Sequence, residues 1–417
     1  MEAIKNLFKD KLVEDAREPF STFGIPGLEG TFALYSPRWE MWKQLILLVT
    51  LSQVFQVIAA VIIYKLIIPN RGSVGAYLLG WGVMIPLSLW IPFEMLEAWD
   101  IQNKILKMCV TPLPMVVVFR SIEAMYDTSP PVVEYSLANY VTYYTATIHH
   151  VWDPKTNARV KVNTQQFISN FLRVVYYYHW LSLSLSFQMH VDFKPFKSDP
   201  VVLDDFHVTK FWELLRPDHI ANAYLLVLHL YLNLLVGFEF TNFGENLKGY
   251  LTKPTFKNPL WTSKSPTDFW GRKWNLMIHN ILKGGAFLPA RKYVSTPLAV
   301  MWSFICSGLI HDYVWAAIFY HHGHEKDPET GICKDCFSPT PLKLTAFFVW
   351  NAMMMLLERP VSKWPPMQWM ANNLPLAIVS TLVGLTALPV THWYTGDWVV
   401  GGYFADFAVA LWTIKKL

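Results

Sequence analysis

The sequence predicts an all-α, polytopic membrane protein with about eight or nine transmembrane helices, and three observations lead there. Charged residues make up 16% of the 417, where a soluble domain carries roughly 25%. Hydrophobic residues make up 53%, and the mean hydropathy is +0.25. Nineteen Trp, 19 Tyr and 27 Phe supply the amphipathic rings that suit membrane–water interfaces. The same figures exclude disorder and a disulfide-stapled secreted scaffold, since only four Cys are present. A formal net charge of +4, spread along the chain, argues against nucleic acid as a partner.

A spanning helix needs about 20 mostly apolar residues. Uncharged runs of that order cover 44–64, 72–93, 174–191, 219–238, 293–311 and 364–396, with shorter ones at 108–119, 344–357 and 407–414. Pro365, Pro366, Pro375 and Pro389 confine the helix in the longest run to about 374–392. Gly80, Gly82 and Pro86 suggest that the second run breaks into a re-entrant pair. Residues 1–43 read as a polar arm, with an amphipathic helix expected over 2–18 and no early apolar core of a secretory signal. Residues 44–417 read as the membrane domain.

Loop charge sets the expected orientation. Residues 241–292 hold nine Lys and Arg against Glu245 and Asp268 alone, which predicts a cytosolic loop. Segments 192–219 and 321–340 are net acidic and suit the lumen. Arg359, Lys363, Lys415 and Lys416 then read as a return to the cytosol. The arm carries six bases and seven acids, so charge does not place it.

Two stretches carry polar chemistry inside apolar surroundings. Ser265-Pro266-Thr267-Asp268-Phe269-Trp270-Gly271-Arg272-Lys273-Trp274-Asn275 opens what reads as an amphipathic helix capped by Thr267 or Asp268. Trp274, Met277, Ile278, Ile281 and Leu282 recur at helical spacing, and Asn275 and His279, four apart, share a face. The bland alternative is an interfacial helix anchored by Trp270 and Trp274, with Arg272 and Lys273 on lipid phosphates. The second stretch is Cys306-Ser307-Gly308-Leu309-Ile310-His311-Asp312. A His and an Asp within a span are costly and imply a functional interior; the bland alternative is a His hydrogen-bonded to a neighbouring helix. Small Ser307 and Gly308, one turn before His311, would leave room for a substrate chain.

Together these residues resemble the membrane-bound O-acyltransferase (MBOAT) superfamily, and most closely its plant-type wax synthase branch. That branch carries Asp-Phe-Trp-Gly-Arg-Arg-Trp-Asn before an intramembrane Ser-Gly-x-x-His. Here the first block runs from Asp268 to Asn275 with Lys273 for the second Arg, and the second is Ser307-Gly308-Leu309-Ile310-His311. The resemblance covers about 255–320. Asp312 stands where the branch has Glu, and the chain is longer through its arm and the region 120–165, which leaves the acceptor open. The resemblance implies an MBOAT-like fold in the endoplasmic reticulum membrane and transfer of a fatty acyl group from acyl-CoA to a lipid hydroxyl. The acceptor would be a long-chain alcohol or, on the same fold, a sterol, diacylglycerol or terpenoid. It implies His311 as general base and Asn275 as a donor to the developing oxyanion. Asp268, Trp270, Arg272, Lys273, Trp274 and Ser307 would hold substrate, with Arg272, Lys273 and Lys264 toward CoA phosphates. The partners would be acyl-CoA, a lipid alcohol and membrane lipids; a homo-oligomer stays open. No metal or other cofactor is required.

Three other features complete the reading. His321-His322-Gly323-His324 with Cys333-Lys334-Asp335-Cys336 offers zinc-type ligands at no standard spacing, and a lumenal CxxC equally suits a disulfide. His149-His150 lacks the HxxHH boxes of membrane desaturases. A rival of another class is a transporter in which His311 and Asp312 form a proton or substrate path, although no internal repeat accompanies them.

Overall fold

A computed structural model of the chain describes residues 8, 12, 17–27, 29–146, 148–190, 211–322 and 336–417. Five helices are long and apolar enough to cross a membrane: α1 (Trp39–Asn70), α2 (Val74–Ala98), α3 (Lys104–Met125), α5 (Pro217–Leu247) and α7 (Thr296–Ile318). Between them lie α4 (Thr164–His190) and a short helix, α6 (Leu276–Leu282). After α7 come α8 (Lys343–Val361) and a broken pair, α9 (Leu376–Val390) and α10 (His392–Val400), bent by 58°. Counting that pair as one span gives six, so the expected eight or nine are not reached by length and apolar content among the described residues. α4 and α8 are long, but the first is rich in Tyr, Ser and Gln and the second carries Lys343, Glu358 and Arg359.

Two local expectations change. The run 407–414 is no span: it splits between a short helix, Tyr403–Ala408, and a strand. α2 is not broken at Gly80; a π-turn over Gly80–Met84 absorbs the irregularity and the helix continues to Ala98. Gly80 lets α3 pack close there, since a Cβ would displace the Met125 side chain.

The chain is also not purely helical. Strand β1 (Ser21–Gly24) pairs antiparallel with β2 (Thr31–Tyr35), and β2 pairs antiparallel with β3 (Thr413–Lys416). The polar arm is thus stitched to the C-terminal strand. Arg17 reinforces the seam by donating to the Leu411 carbonyl at 2.6 Å and to Thr413 Oγ1 at 2.7 Å. Most of the amphipathic helix expected over 2–18 falls outside the described residues.

Contacts between helix ends sort them onto two faces. On one face the Arg38 N–H donates to the Val409 carbonyl at 3.0 Å, and Lys104 pairs with Asp406 at 3.1 Å. Lys107 there donates to the Tyr320 carbonyl at 2.5 Å, and Gly401 abuts Phe319 and Phe337. The starts of α1 and α3, the ends of α7 and α10, and β3 therefore share that face. On the other, Arg71 donates to the Ala124 carbonyl at 2.9 Å and Lys292 to the Tyr126 carbonyl. This groups the ends of α1 and α3 with the chain just before α7. Lys415 and Lys416 consequently lie on the face opposite Lys292, against their expected return to the same side as loop 241–292. The charge expectation failed because two lysines on a paired strand answer to the sheet, not to the loop rule.

α7 and α8 are the closest-packed pair that matters for the site. Gly308 permits this, since a Cβ there would overlap Thr345 Cα of α8 and lie 2.7 Å from its Oγ1. The space left by Gly308 is therefore filled by α8 backbone, not by a substrate chain. Asp312 sets the depth of α8. The N-cap position of α8, Leu342, has no side chain able to accept, and Asp312 of α7 supplies the acceptor. Its carboxylate takes the Leu344 N–H at 3.1 Å, the Thr345 N–H at 3.3 Å and the Thr345 hydroxyl at 2.5 Å. These are backbone donors that a helix start leaves unsatisfied.

If loop 241–292 is cytosolic, as its charges predict, the two-face grouping makes a sharp forecast for labelling in a background without other reactive Cys. In sealed, cytosol-out microsomes, Lys257→Cys should react with an impermeant thiol reagent. Ser338→Cys and Lys416→Cys should react only after permeabilisation. Labelling of Lys416→Cys together with Lys257→Cys would overturn the grouping.

Candidate active site

The motif around residue 270 does not form one amphipathic helix. Ser265, not Thr267 or Asp268, caps the start, accepting the Asp268 N–H at 3.2 Å, and Pro266 fills the first helical position. Glu358 of α8 accepts the Thr267 N–H at 2.7 Å. A single α-turn, Pro266–Asp268, passes into a π-turn, Phe269–Lys273, which stops at Trp274 in extended conformation. Asn275 is left-handed (φ 38°), and α6 begins after it. The break has a backbone cause: the neighbouring segment competes with the helix ladder. The Lys257 N–H donates to the Lys273 carbonyl at 3.0 Å, and the Leu276 N–H donates to the Thr255 carbonyl at 2.7 Å. Trp274 is wedged against Tyr231, Phe256 and Phe269, with ring centroids 5.9, 5.4 and 5.2 Å apart.

The charged residues of the motif divide by role. Asp268 accepts the Lys264 N–H at 3.0 Å and pairs with Lys273 at 2.9 Å. Lys273 also donates to the Thr262 carbonyl and, at 3.2 Å, to its hydroxyl. Both are thus engaged with partners inside the motif, and neither lines the cavity described below. Burial pushes the Asp268 carboxyl upward, but the Lys264 N–H and the Lys273 ammonium outweigh it and hold it below its ordinary range. Arg272 is exposed and remains able to meet a phosphate.

The two motifs, 36 residues apart from Asn275 to His311, converge on one cavity of about 440 Å³. Trp270, Trp274, Asn275, His279, Ser307 and His311 all line it, with walls supplied by α5, α8 and the α9–α10 break. The lining is mainly aliphatic and aromatic, and the volume lies in the range of small-ligand sites. Along α7 the lining residues Val300, Ser303, Ser307 and His311 form one stripe. Eleven residue steps of helix make that stripe roughly 16 Å long. His311 sits seven residues before Ile318, or about 10 Å from that end of the helix.

Each polar group at the cavity has a defined setting. His311 Nδ1 lies 2.6 Å from the Ser307 carbonyl, a contact that requires Nδ1–H and leaves Nε2 with its lone pair. The ring packs on Phe348 and Tyr394, with centroids 4.6 and 5.6 Å away. Asn275 uses Oδ1 to cap α6 through the Ile278 N–H at 3.3 Å, and no hydrogen bond of its Nδ2 is found among the described residues. Trp270 is anchored by donating from Nε1 to Asn351 Oδ1 at 3.2 Å. Asp312, adjacent to His311, is committed to the start of α8 and does not line the cavity.

Phe348 and Tyr394, whose rings flank His311, and Phe347, which packs against both, were not anticipated. Asn351, a lone amide in the apolar face of α8, was the one available signal for that wall; Tyr394 offered none. The His/Cys segment falls largely on 323–335, outside the described residues. His321 contacts the Phe337 carbonyl at 2.8 Å, His322 lies beside Gln102 and Asp100, and Cys336 is disulfide-bonded. His149 packs on the Tyr143 ring, whereas His150 meets Glu245 at 2.9 Å. Among the described residues no group of three or more His, Cys, Asp or Glu is placed to hold a metal ion.

Comparison with known proteins agrees with this geometry. Residues 252–329 match the Membrane bound O-acyl transferase family, a stretch that contains both motifs. The chain is 30% identical over 153 residues to "Probable long-chain-alcohol O-fatty-acyltransferase 9" of Arabidopsis thaliana, covering 33% of this chain and 40% of that protein. It is 29% identical over 176 residues to the similarly named protein 1 of that plant, covering 40% and 45%. It is 28% identical over 118 residues to "Long-chain-alcohol O-fatty-acyltransferase" of Simmondsia chinensis, covering 26% and 28%. The matches span less than half the length of these relatives. The resemblance to the wax synthase type of membrane-bound O-acyltransferase is thereby shown.

The Asp268–Lys273 pair gives a pH-dependent test of the motif. A carboxyl held low in the folded state stabilises it above the unfolded value near 4, and that contribution fades only as pH falls through the lower folded value. Asp268→Asn keeps the acceptor for Lys264 but removes the charge. Its melting temperature should fall below wild type by a constant gap from pH 8 to pH 5, with the gap narrowing below about pH 4. A gap that closes between pH 8 and pH 6 would contradict the pairing.

Proposed function

We propose that this multi-pass membrane protein is an acyl-CoA-dependent O-acyltransferase that esterifies a long-chain alcohol, as the names of its relatives suggest. The observation that carries the reading is the convergence of His311 and Asn275 on one largely apolar cavity. Among the described residues the cavity lining holds no carboxylate and no thiol beside His311, so direct attack by the alcohol is the simplest route.

His311 Nε2 accepts the proton of the alcohol as its oxygen attacks the thioester carbonyl. The Ser307 carbonyl, 2.6 Å from Nδ1, holds the imidazole in the tautomer that makes this possible. Asn275 Nδ2 donates to the oxyanion of the tetrahedral intermediate; its Oδ1, tied to α6, fixes the amide plane for that purpose. On collapse the C–S bond breaks, the ester carbonyl re-forms, and the CoA thiolate recovers the proton from Nε2. The aromatic walls exclude water, which suppresses hydrolysis of the thioester. Alkyl chains lie along the stripe of α7 and between α5 and α9.

A transporter that moves protons through His311 and Asp312 is disfavoured, because Asp312 is occupied by the α8 start. The endoplasmic reticulum is the proposed membrane, and α4 and α8 are proposed to cross alongside the six more apolar spans, giving eight.

Membranes from a host lacking neutral-lipid synthesis, given labelled acyl-CoA, should form ester with long-chain alcohols in preference to sterol, diacylglycerol or terpenoid. His311→Ala should lower that activity by about 100-fold or more at unchanged protein level; wild-type rates in the variant would remove His311 from the mechanism. Asn275→Ala should cost turnover roughly 100-fold, whereas His279→Ala, on the same wall, should cost far less. The reverse order would assign the polar contact to His279.

A further inference from the structure

Near the end of α3 lies a buried ion pair that the proposed chemistry does not use. Arg120 and Glu123, one turn apart, are 2% and 1% exposed. Arg120 Nη1 donates to both carboxylate oxygens of Glu123, at 3.0 and 2.8 Å. The guanidinium lies 3.6 Å from the centre of the Tyr143 ring, and the Tyr143 hydroxyl donates to Glu123 Oε2 at 3.0 Å. Two charges inside an apolar span are costly, and an apolar pair of similar volume often packs as well. Their neighbours show what the charges can do instead.

The carboxylate abuts the end of α6. The seven residues of α6 run into a π-turn, Lys283–Phe287. Gly284 in that turn meets Glu123 so closely that a Cβ would overlap Oε1. A Cβ on Gly285 would likewise overlap the Phe119 backbone of α3. Thr128, just past α3, donates its hydroxyl to the Gly284 carbonyl at 2.8 Å. Beside these contacts Phe119 of α3, Met277 and Ile281 of α6, and Ile310 of α7 share one apolar cluster. Ile310 directly precedes His311, so α3 sets where α6 stands against the helix that carries the imidazole.

Asn275 is the N-cap of α6, its Oδ1 accepting the Ile278 N–H at 3.3 Å. A seven-residue helix is only about 10 Å long, so a shift at Gly284 is passed to the cap. Backbone bonds to Thr255 and Lys257 hold the front of α6. At the rear, Thr128 holds the Gly284 carbonyl, and the Glu123 carboxylate, tied to Arg120 and Tyr143, is a fixed stop against the turn.

We propose that Glu123, braced by Arg120 and Tyr143, and Thr128 are positioning residues that act through α6 to set the amide of Asn275 at the reacting carbonyl. The inference rests on the acyltransferase reading, in which Asn275 donates to the oxyanion. Such a donor works only if it meets the oxygen as charge develops there. A misplacement of about 1 Å costs on the order of 100-fold in rate. A short helix seated at both ends holds that tolerance, and the ion pair contributes by geometry.

The test uses Thr128→Val, which removes the bond to Gly284, and Gly284→Ala, which pushes the turn off Glu123. Each is made in the full chain in nanodiscs, alone and combined with Asn275→Ala. Either variant should lower kcat about tenfold, with KM for acyl-CoA and for alcohol near wild type. Thr128→Ser, which keeps the hydroxyl, should retain wild-type kcat. The infrared stretch of an isotope-labelled acyl thioester carbonyl, bound without alcohol, reads the donor without turnover. Asn275→Ala should raise its frequency, and the two variants should raise it part of the way. In the Asn275→Ala background neither variant should change kcat or the stretch further, because the effect passes through the missing amide. Equal fractional losses in both backgrounds would mean a general structural defect and overturn the inference. So would a KM rise with kcat unchanged, or a Thr128→Ser variant as impaired as Thr128→Val. A wild type that neither polarises the thioester carbonyl nor forms ester would sink the acyltransferase reading, and the anchor with it. A polarised carbonyl that Thr128→Val and Gly284→Ala leave in place sinks the anchor alone.

Discussion

The carboxylate of Asp312 on the first turn of α8 is the contact on which the site depends most. It satisfies two backbone donors and a hydroxyl at the start of a helix whose own N-cap, Leu342, cannot. Because Asp312 follows His311 directly, the same residue pair fixes both where α8 enters and which rings face the imidazole. Phe347 and Phe348 each come three residues after Leu344 and Thr345 respectively, so the cap brings Phe348 beside His311 and Phe347 against Phe348. Gly308 makes the geometry possible by letting Thr345 approach the α7 backbone. The buried Lys343–Asp397 pair then ties the same helix start to α10, which brings Tyr394 to the other side of the ring.

The second requirement is the interruption at Trp274–Asn275. A continuous helix through residue 275 would satisfy its own backbone and leave Asn275 as one more side chain on a surface. Here the backbone donors and acceptors around the break are taken by Thr255 and Lys257. The polar groups that an apolar setting cannot leave bare are therefore matched. The left-handed Asn275 turns its amide into the cavity wall while Trp274 closes the layer behind it. Lys273 and Asp268 serve the interruption by locking the motif to itself.

Much of the candidate site was legible in the sequence because the predicted residues that line its cavity come from two local stretches. Asp268–Asn275 and Ser307–His311 are contiguous strings, and an ionisable residue within an apolar span is conspicuous. The reading failed where the deciding partner is distant in sequence. Asp312 looked like a second member of a proton path, yet its partners are 32 and 33 residues away. Gly308 looked like space for a chain until α8 filled it. The uncharged run 407–414 looked like a short span, but eight apolar residues are equally a helix–strand corner, and pairing of β3 with β2 decides between them. Phe348 and Tyr394 were invisible for the same reason: 27 Phe, 19 Trp and 19 Tyr are spread along the chain, and which ones meet depends on a cap and a bend.

The central claim is that the reacting hydroxyl lies between Asn275 and His311, inside the apolar cavity. The most direct measurement is photolabelling with a long-chain alcohol that carries a diazirine next to its hydroxyl, followed by peptide mapping of the labelled chain. The account predicts insertion within 275–282 and 303–311, together with the α8 segment around Phe347 and Phe348, and competition by unlabelled alcohol. Labelling confined to the lipid-facing surface of α1 and α2, or to the loop 148–162, with those segments untouched, would contradict it.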